Sequence, residues 1–301
     1  MLTACKADNE TPEKIYELPI HLDGSLQNPA WSPDGRQILF TRFRNGYNQG
    51  PADLFIYDFD TRELHELVST GDDNINLPGS TWNTEANLIV FSSTSSGHDE
   101  IYTINPLDTD SIPTQITNRE NQMAYEPSFS PDGKWIVFES HKLDTEENGI
   151  IVKLQLDGYG KYISLTPPDA DCRQPNWSPD GQNILYQAYN NHQWDIWIMN
   201  ADGSNHQQIT MGPGDKTDAS FSPDGQWIIF SADNPEIKYS ELFIQSDDGT
   251  QTIQITNEGL YVGAPSWSPD GDIIIFEGSE RNPEKSNGTK LWGLDDFPNG
   301  E

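Results

Sequence analysis

The sequence predicts an all-β fold: a six-bladed β-propeller of four-stranded antiparallel blades. Three observations carry this. A phrase of the form Pro-x-Trp/Phe-Ser-Pro-Asp-Gly returns along the 301 residues, its aromatic anchors recur at intervals of 44 to 51 residues, and each copy is followed by the same series of short apolar strands. A period of that length with strands and glycine-containing turns is the mark of propeller blades, whereas helical repeats would show a 3.6-residue period.

Four copies carry the whole phrase, at Pro29 to Gly35, Pro127 to Gly133, Pro175 to Gly181 and Pro265 to Gly271. A fifth, Ala219 to Gly225, replaces only the leading proline, and a degenerate sixth from Ser80 to Asn87 keeps Trp82 but has lost Pro-Asp-Gly. The anchors Trp31, Trp82, Phe129, Trp177, Phe221 and Trp267 lie 44 to 51 residues apart.

Within each unit the Trp/Phe-Ser segment reads as the first strand. Pro-Asp-Gly then supplies a tight turn, because proline presets φ and glycine accepts positive φ. The repeated Asp34, Asp132, Asp180, Asp224 and Asp270 are therefore read as turn residues and not as calcium ligands. The second strand is apolar and ends on an aromatic in every unit, at Phe40, Phe91, Phe138, Tyr186, Phe230 and Phe276. A third strand follows a loop of variable length, and Asp157-Gly158, Asp202-Gly203 and Asp248-Gly249 turn it into a polar fourth strand.

Only five fourth strands lie inside the chain. Ile15 to Ile20 stands before the first anchor where a fourth strand would stand, so it is expected to pair in the last blade and close the ring. The organisation is thus an N-terminal tail over 1–13 and one propeller over 14–301. A closed ring leaves no open blade face, which predicts a monomer.

Composition narrows the partners. With 48 acidic residues against 17 basic ones the net charge is −31, which repels nucleic acid and anionic lipid over the whole surface. Two readings of this acidity stay open: a solvated coat, or recognition of a cationic partner. No run reaches the roughly 18 to 20 apolar residues of a membrane-spanning helix. Two cysteines, Cys5 and Cys172, provide neither a disulfide framework nor the paired spacing of a zinc site. The start, Met1-Leu2-Thr3-Ala4-Cys5, matches the end of a bacterial lipoprotein signal, which would make Cys5 a lipidation site.

Strand alternation puts both kinds of tight turn at one end of the blades. The long loops, such as 42–52, 92–99, 140–148 and 189–194, occupy the other end, and binding is expected there. An aromatic patch around Phe43, Tyr47 and Tyr189 would mark such a surface. The central mouth is expected to be lined by Asn28, Glu126, Gln174 and Asp218 from before the first strands, with Arg42, Glu139, Gln187 and Glu277 from after the second strands. This polar funnel is read as a water-filled channel, or as a seat for a cation or a cationic side chain.

The repeated Ser-Pro-Asp-Gly, the Ile-x-Phe second strand and the Asp-Ile-Trp/Tyr third strand resemble TolB-type propeller repeats over residues 14 to 295. The resemblance implies a periplasmic or envelope-associated bacterial protein that presents one face to a partner, and the first reading is a binder of protein or peptide without cofactor or catalysis. It is anchored to the outer membrane if Cys5 is lipidated. The chain departs from TolB in showing no α/β domain ahead of the propeller. Lyases with TolB-like propellers hold a metal through histidines, and His98, His141 and His192 lie in loops of successive units. This leaves a second reading: a polysaccharide lyase or hydrolase with one divalent metal in the central channel. No Gly-x-Ser-x-Gly elbow, phosphate loop or dinucleotide fingerprint is present.

Overall fold

The computed structural model describes residues 14–76, 81–85, 87–143, 148–156, 160–233, 239–257, 259–280, 288–295 and 297. Cys5, the turn Asp157-Gly158 and parts of the degenerate sixth copy lie outside them. Strand β1 (Lys14–Glu17) opens the chain. Blade one comprises β2 (Ser25–Trp31), β3 (Gln37–Phe43), β4 (Ala52–Asp58) and β5 (Leu64–Val68). Blade two follows as β6 (Ile75–Asn76), β7 (Ile89–Ser93), β8 (Glu100–Ile104) and β9 (Thr114–Gln115). Blade three holds β10 (Gln122–Phe129), β11 (Trp135–Lys142), β12 (Ile150–Gln155) and β13 (Tyr162–Ser164). Blade four holds β14 (Cys172–Trp177), β15 (Asn183–Asn190), β16 (Gln193–Asn200) and β17 (Gln207–Gln208). Blade five holds β18 (Lys216–Phe221), β19 (Trp227–Asp233), β20 (Ser240–Ser246) and β21 (Thr252–Gln254). The last blade joins β22 (Tyr261–Trp267), β23 (Ile273–Ser279) and β24 (Lys290–Asp295) to β1, in the order β1-β24-β23-β22.

The ring closes as the sequence predicts, with Ile15 opposite Leu294 and Glu17 opposite Trp292 in an antiparallel ladder. Closure is reinforced across the seam. Thr289 donates its N–H to Ser25 Oγ at 2.9 Å and its hydroxyl to the Leu26 carbonyl at 2.7 Å. Gly288 makes this approach possible: its φ is +102°, and a Cβ there would lie 2.8 Å from the Ser25 Cα. Gly288→Ala is therefore expected to cost about 2–3 kcal/mol, from a disfavoured left-handed backbone plus overpacking. Urea denaturation of the variant measures it, and an unchanged midpoint would mean the seam yields without cost.

The core is divided into wedges between blades. One cluster joins Leu39 and Leu54 of blade one to Ile75 and Phe91 of blade two, and another joins Phe40 and Phe55 to Ile275 and Leu291 across the seam. Second strands are covered on both faces by this stacking, which is why they read as continuous apolar runs and not as alternating ones. Phe40, Phe91, Phe138 and Phe276 are completely buried.

The repeated turn explains its own sequence. In each of the five Ser-Pro-Asp-Gly copies the serine hydroxyl donates to the aspartate at 2.6–2.7 Å. The same hydroxyl accepts the N–H five residues on, as in Gln37 and Trp135 at 3.0 Å. The glycines adopt φ of 67–82°. The Ser32, Ser130, Ser178 and Ser268 bonds hold Asp34, Asp132, Asp180 and Asp270 below the usual carboxylate range. In the degenerate copy Asn83 Oδ1 takes over, accepting from Asn87 N at 3.1 Å and Leu88 N at 2.9 Å.

Candidate functional site

The first strands start earlier than the Trp/Phe-Ser segment. In five blades they run up to the aromatic anchor and contain a bulge three residues before it, whereas β6 of blade two ends at Asn76. In blade three, for example, Tyr125 faces Glu139 and Ser128 faces Val137, leaving two residues opposite Phe138. The bulge residue is left-handed in five blades: Asn28 (φ 52°), Glu126 (51°), Gln174 (50°), Asp218 (57°) and Ala264 (46°). Such a conformation costs on the order of 1–3 kcal/mol for a non-glycine residue, so the surrounding blade must impose it. Four of the expected mouth residues are thus bulge residues within the first strands.

Their partners come from the second strands. Glu139, Gln187 and Glu277 face the residue just before the bulge, and the equivalents in blades one and five are Thr41 and Ser231. Arg42 lies one residue beyond this position and is turned away from the ring. Its guanidinium binds Asp53 on β4 and lies 5.0 Å from the centroid of the Phe55 ring. Because side chains alternate along a strand, a one-residue offset moves a group to the opposite face.

The ring is joined blade to blade by hydrogen bonds. Glu139 accepts the Gln174 N–H at 2.9 Å, and Glu277 accepts the Asn28 N–H at 3.2 Å. Gln174 and Asp218 form a reciprocal pair at 3.0 Å in each direction. The second oxygen of Asp218 accepts from Ser231 at 2.8 Å and Thr217 at 3.1 Å. Two acceptors are left over: Glu126 Oε2 and Gln187 Oε1 are shielded from solvent and have no hydrogen-bond partner among the described residues. Burial, with Asp218 nearby, pushes the Glu277 carboxyl up to about 8. Burial, then Glu139 and Asp218, hold Glu126 well above the usual range.

An axial cavity of about 370 Å³ extends from this ring to the Pro-Asp-Gly end, where Pro33, Pro131, Pro179, Pro223 and Pro269 border it. None of its lining residues belongs to the long loops. At the loop end Tyr47 reaches from blade one to blade six, its hydroxyl 2.7 Å from that of Tyr261 and against Glu277. Burial raises the Tyr47 and Tyr261 phenols, so both stay protonated. This cap pairs tyrosines 214 positions apart and has no local sequence signal.

The three histidines are not gathered. His98 pairs with Glu100 at 3.1 Å. His141 lies within β11 and not in a loop; it is buried, 3.0 Å from Glu139, with Gly149 leaving the space its ring occupies. His192 and Asn191 form the two-residue turn between β15 and β16, both with positive φ. Among the described residues no three or more His, Cys, Asp or Glu are placed to hold a metal ion.

The expected aromatic patch is also rearranged. Phe43 is buried and Tyr47 is in the cap, which leaves Tyr189 exposed. Tyr189 packs on Trp194 at 5.3 Å between ring centroids, and the Arg173 guanidinium lies 4.9 Å from the Trp194 ring. Met211, 74% exposed, lies on the next loop, and Gln193 ties that loop to the hairpin through the Gly212 carbonyl at 3.1 Å. Leu143 of blade three is exposed at the same end. No helix among the described residues is long and apolar enough to cross a membrane.

Comparison with known proteins places this geometry in context. The Tol-Pal system protein TolB of Francisella tularensis subsp. mediasiatica is 26% identical over 265 residues, covering 72% of this chain and 59% of the relative. The chain spans about half to three fifths of the length of the first curated relatives it matches. Among solved structures, a putative TolB from Agrobacterium tumefaciens superposes with a TM-score of 0.68 at 20% identity, covering 91% of each chain. An oligogalacturonate lyase in complex with manganese gives 0.60 at 13% identity, covering 96% of this chain and 97% of its own. Likeness at such identity speaks for the fold alone. The TolB beta propeller domain family, however, matches residues 23–147 and 146–290, nearly the whole ring, and to that family this chain belongs.

Proposed function

We propose that this chain is a non-enzymatic propeller scaffold that binds a protein or peptide partner through its variable-loop face in the bacterial envelope. The observation that carries the reading is the β15–β16 hairpin, where Tyr189 and Trp194 present an aromatic pair backed by Arg173 and flanked by the exposed Met211. Aromatic and arginine side chains of this kind dominate binding energy at interfaces. The net charge of −31 favours a partner with cationic segments. The relatives named as Tol-Pal system proteins support a place in an envelope assembly. Anchoring through Cys5 belongs to the same proposal. The lyase or hydrolase alternative has no gathered set of metal-ligating side chains in its favour among the described residues.

Affinity capture from an envelope extract tests this reading. The wild-type chain is expected to retain a specific protein that the Tyr189→Ala/Trp194→Ala double variant retains at least about tenfold less, the loss of one hot-spot contact or more. Identical capture by both chains would sink the assignment of this face.

A further inference from the structure

The axial cavity combines three properties that a plain water channel does not require together. Its walls are largely apolar, formed by prolines, Ala30, Ala219 and the anchoring aromatics. Its inner end carries the carboxyl groups of Glu126 and Asp218, and no Lys or Arg is among its described lining residues. Lastly, Glu126 Oε2 is buried there without a hydrogen-bond partner although the same carboxyl meets Glu139 and the Gln174 side chain, while both Asp218 oxygens are already engaged. A buried acceptor left unmade is costly, and the left-handed backbone of Glu126 adds to that cost. An incoming donor relieves it.

The chemistry of the donor follows from the arrangement. A divalent ion needs several oxygen ligands converging at 2.0–2.6 Å or so, and no such group exists among the described residues. A guanidinium or ammonium needs one or two acceptors in a negative field, and its aliphatic stem suits an apolar wall. The cavity of about 370 Å³ matches a small organic group and is roomy for a bare ion. The lining reaches the Pro-Asp-Gly turns, and at the loop end Tyr47 stands against Tyr261 and Glu277, which favours entry from the turn end.

We propose that the cavity is a binding site for an organic monocation, a guanidinium or primary ammonium on an apolar stem, which enters from the tight-turn end and donates to Glu126. The cation is either a free small molecule or the side chain of a peptide. The site lies at the opposite end of the ring from the proposed partner face and does not depend on it.

Calorimetric titration of the full chain with n-butylguanidinium tests this, with the neutral isostere n-butylurea as control. Saturable one-to-one binding of the cation is expected, with the urea at least tenfold weaker or silent. Glu126→Gln is expected to weaken binding at least tenfold while its melting temperature stays the same or rises, because a repelled carboxyl is removed. Ala219→Leu, which narrows the wall and leaves every carboxylate in place, should weaken binding too and serves if Glu126→Gln does not fold. Tyr189→Ala/Trp194→Ala should bind butylguanidinium normally, which separates this site from the partner face. Tighter binding of acetyl-Gly-Gly-Arg-Gly-amide than of butylguanidinium would assign the source to a protein side chain, and the reverse order to a free cation. Equal binding of the urea and the cation, indifference to Glu126→Gln, or binding of calcium chloride without any binding of butylguanidinium would overturn the proposal.

Discussion

Replacing Asp53 by alanine is expected to destabilise the propeller by about 3–5 kcal/mol, the cost of breaking a buried ion pair from one side. The Asp53 side chain is completely buried at the start of β4. It accepts from Arg42 Nε at 3.1 Å, Arg44 Nε at 2.8 Å and Ser69 Oγ at 2.8 Å. Burial opposes its charge, but the bonds from Arg44, Arg42 and Ser69 overcome it and hold the carboxyl below its ordinary range. Removing it leaves the partly buried Arg42 and Arg44 guanidinium groups without the carboxylate they share. Asp53→Asn keeps the shape and loses the charge, so it should fall between wild type and alanine. The stability Asp53 contributes is present above the ordinary carboxylate range and is lost as pH falls through its depressed folded value. Urea denaturation at neutral pH gives the comparison, and a loss below about 1 kcal/mol would mean that pairing barely exceeds desolvation.

Stability is expected to decline between pH 5 and 8, and Glu277 is one cause. Its carboxyl moves from an ordinary 4.5 to about 8 in the folded chain, because it is buried and faces Asp218. Between these values the folded chain keeps a proton that the unfolded chain has released, so folding weakens as pH rises, by about 1.4 kcal/mol per pH unit. The contribution is complete below the unfolded value and gone above the folded one. Asp99, raised to about 6 by burial, and Glu126 act in the same direction. Glu277→Gln should flatten the slope and be more stable than wild type at pH 8, by an amount on the order of 3–4 kcal/mol. Denaturation midpoints at each pH for both chains test this, and parallel curves would refute it.

Both predictions concern positions that the sequence reveals unequally. Asp53 begins a recognisable third strand, yet nothing local shows that Arg42 turns to it and away from the channel. Glu277 follows the aromatic that ends every second strand, so its place near the axis is legible from the repeat. Its raised carboxyl is not, because Asp218 belongs to another blade. The polar residues three positions before the anchors were also visible, but only the ladder shows them as left-handed bulges. His141 was misplaced because β11 continues to Lys142 before its loop begins.

What the sequence by itself determined is what the repeat spells out: blade number, strand order, the Pro-Asp-Gly turn and the closing role of residues near Ile15. The turns and strands rest on preferences and alternation within a few residues, and closure follows from counting the repeated strands and finding one displaced to the N-terminus. The tertiary structure alone decided which acceptors stay unpaired at the axis, that Tyr47 meets Tyr261 at the loop end, and that the turn prolines border the cavity. Those features join residues from different blades, and only the closed ring sets the distances between them.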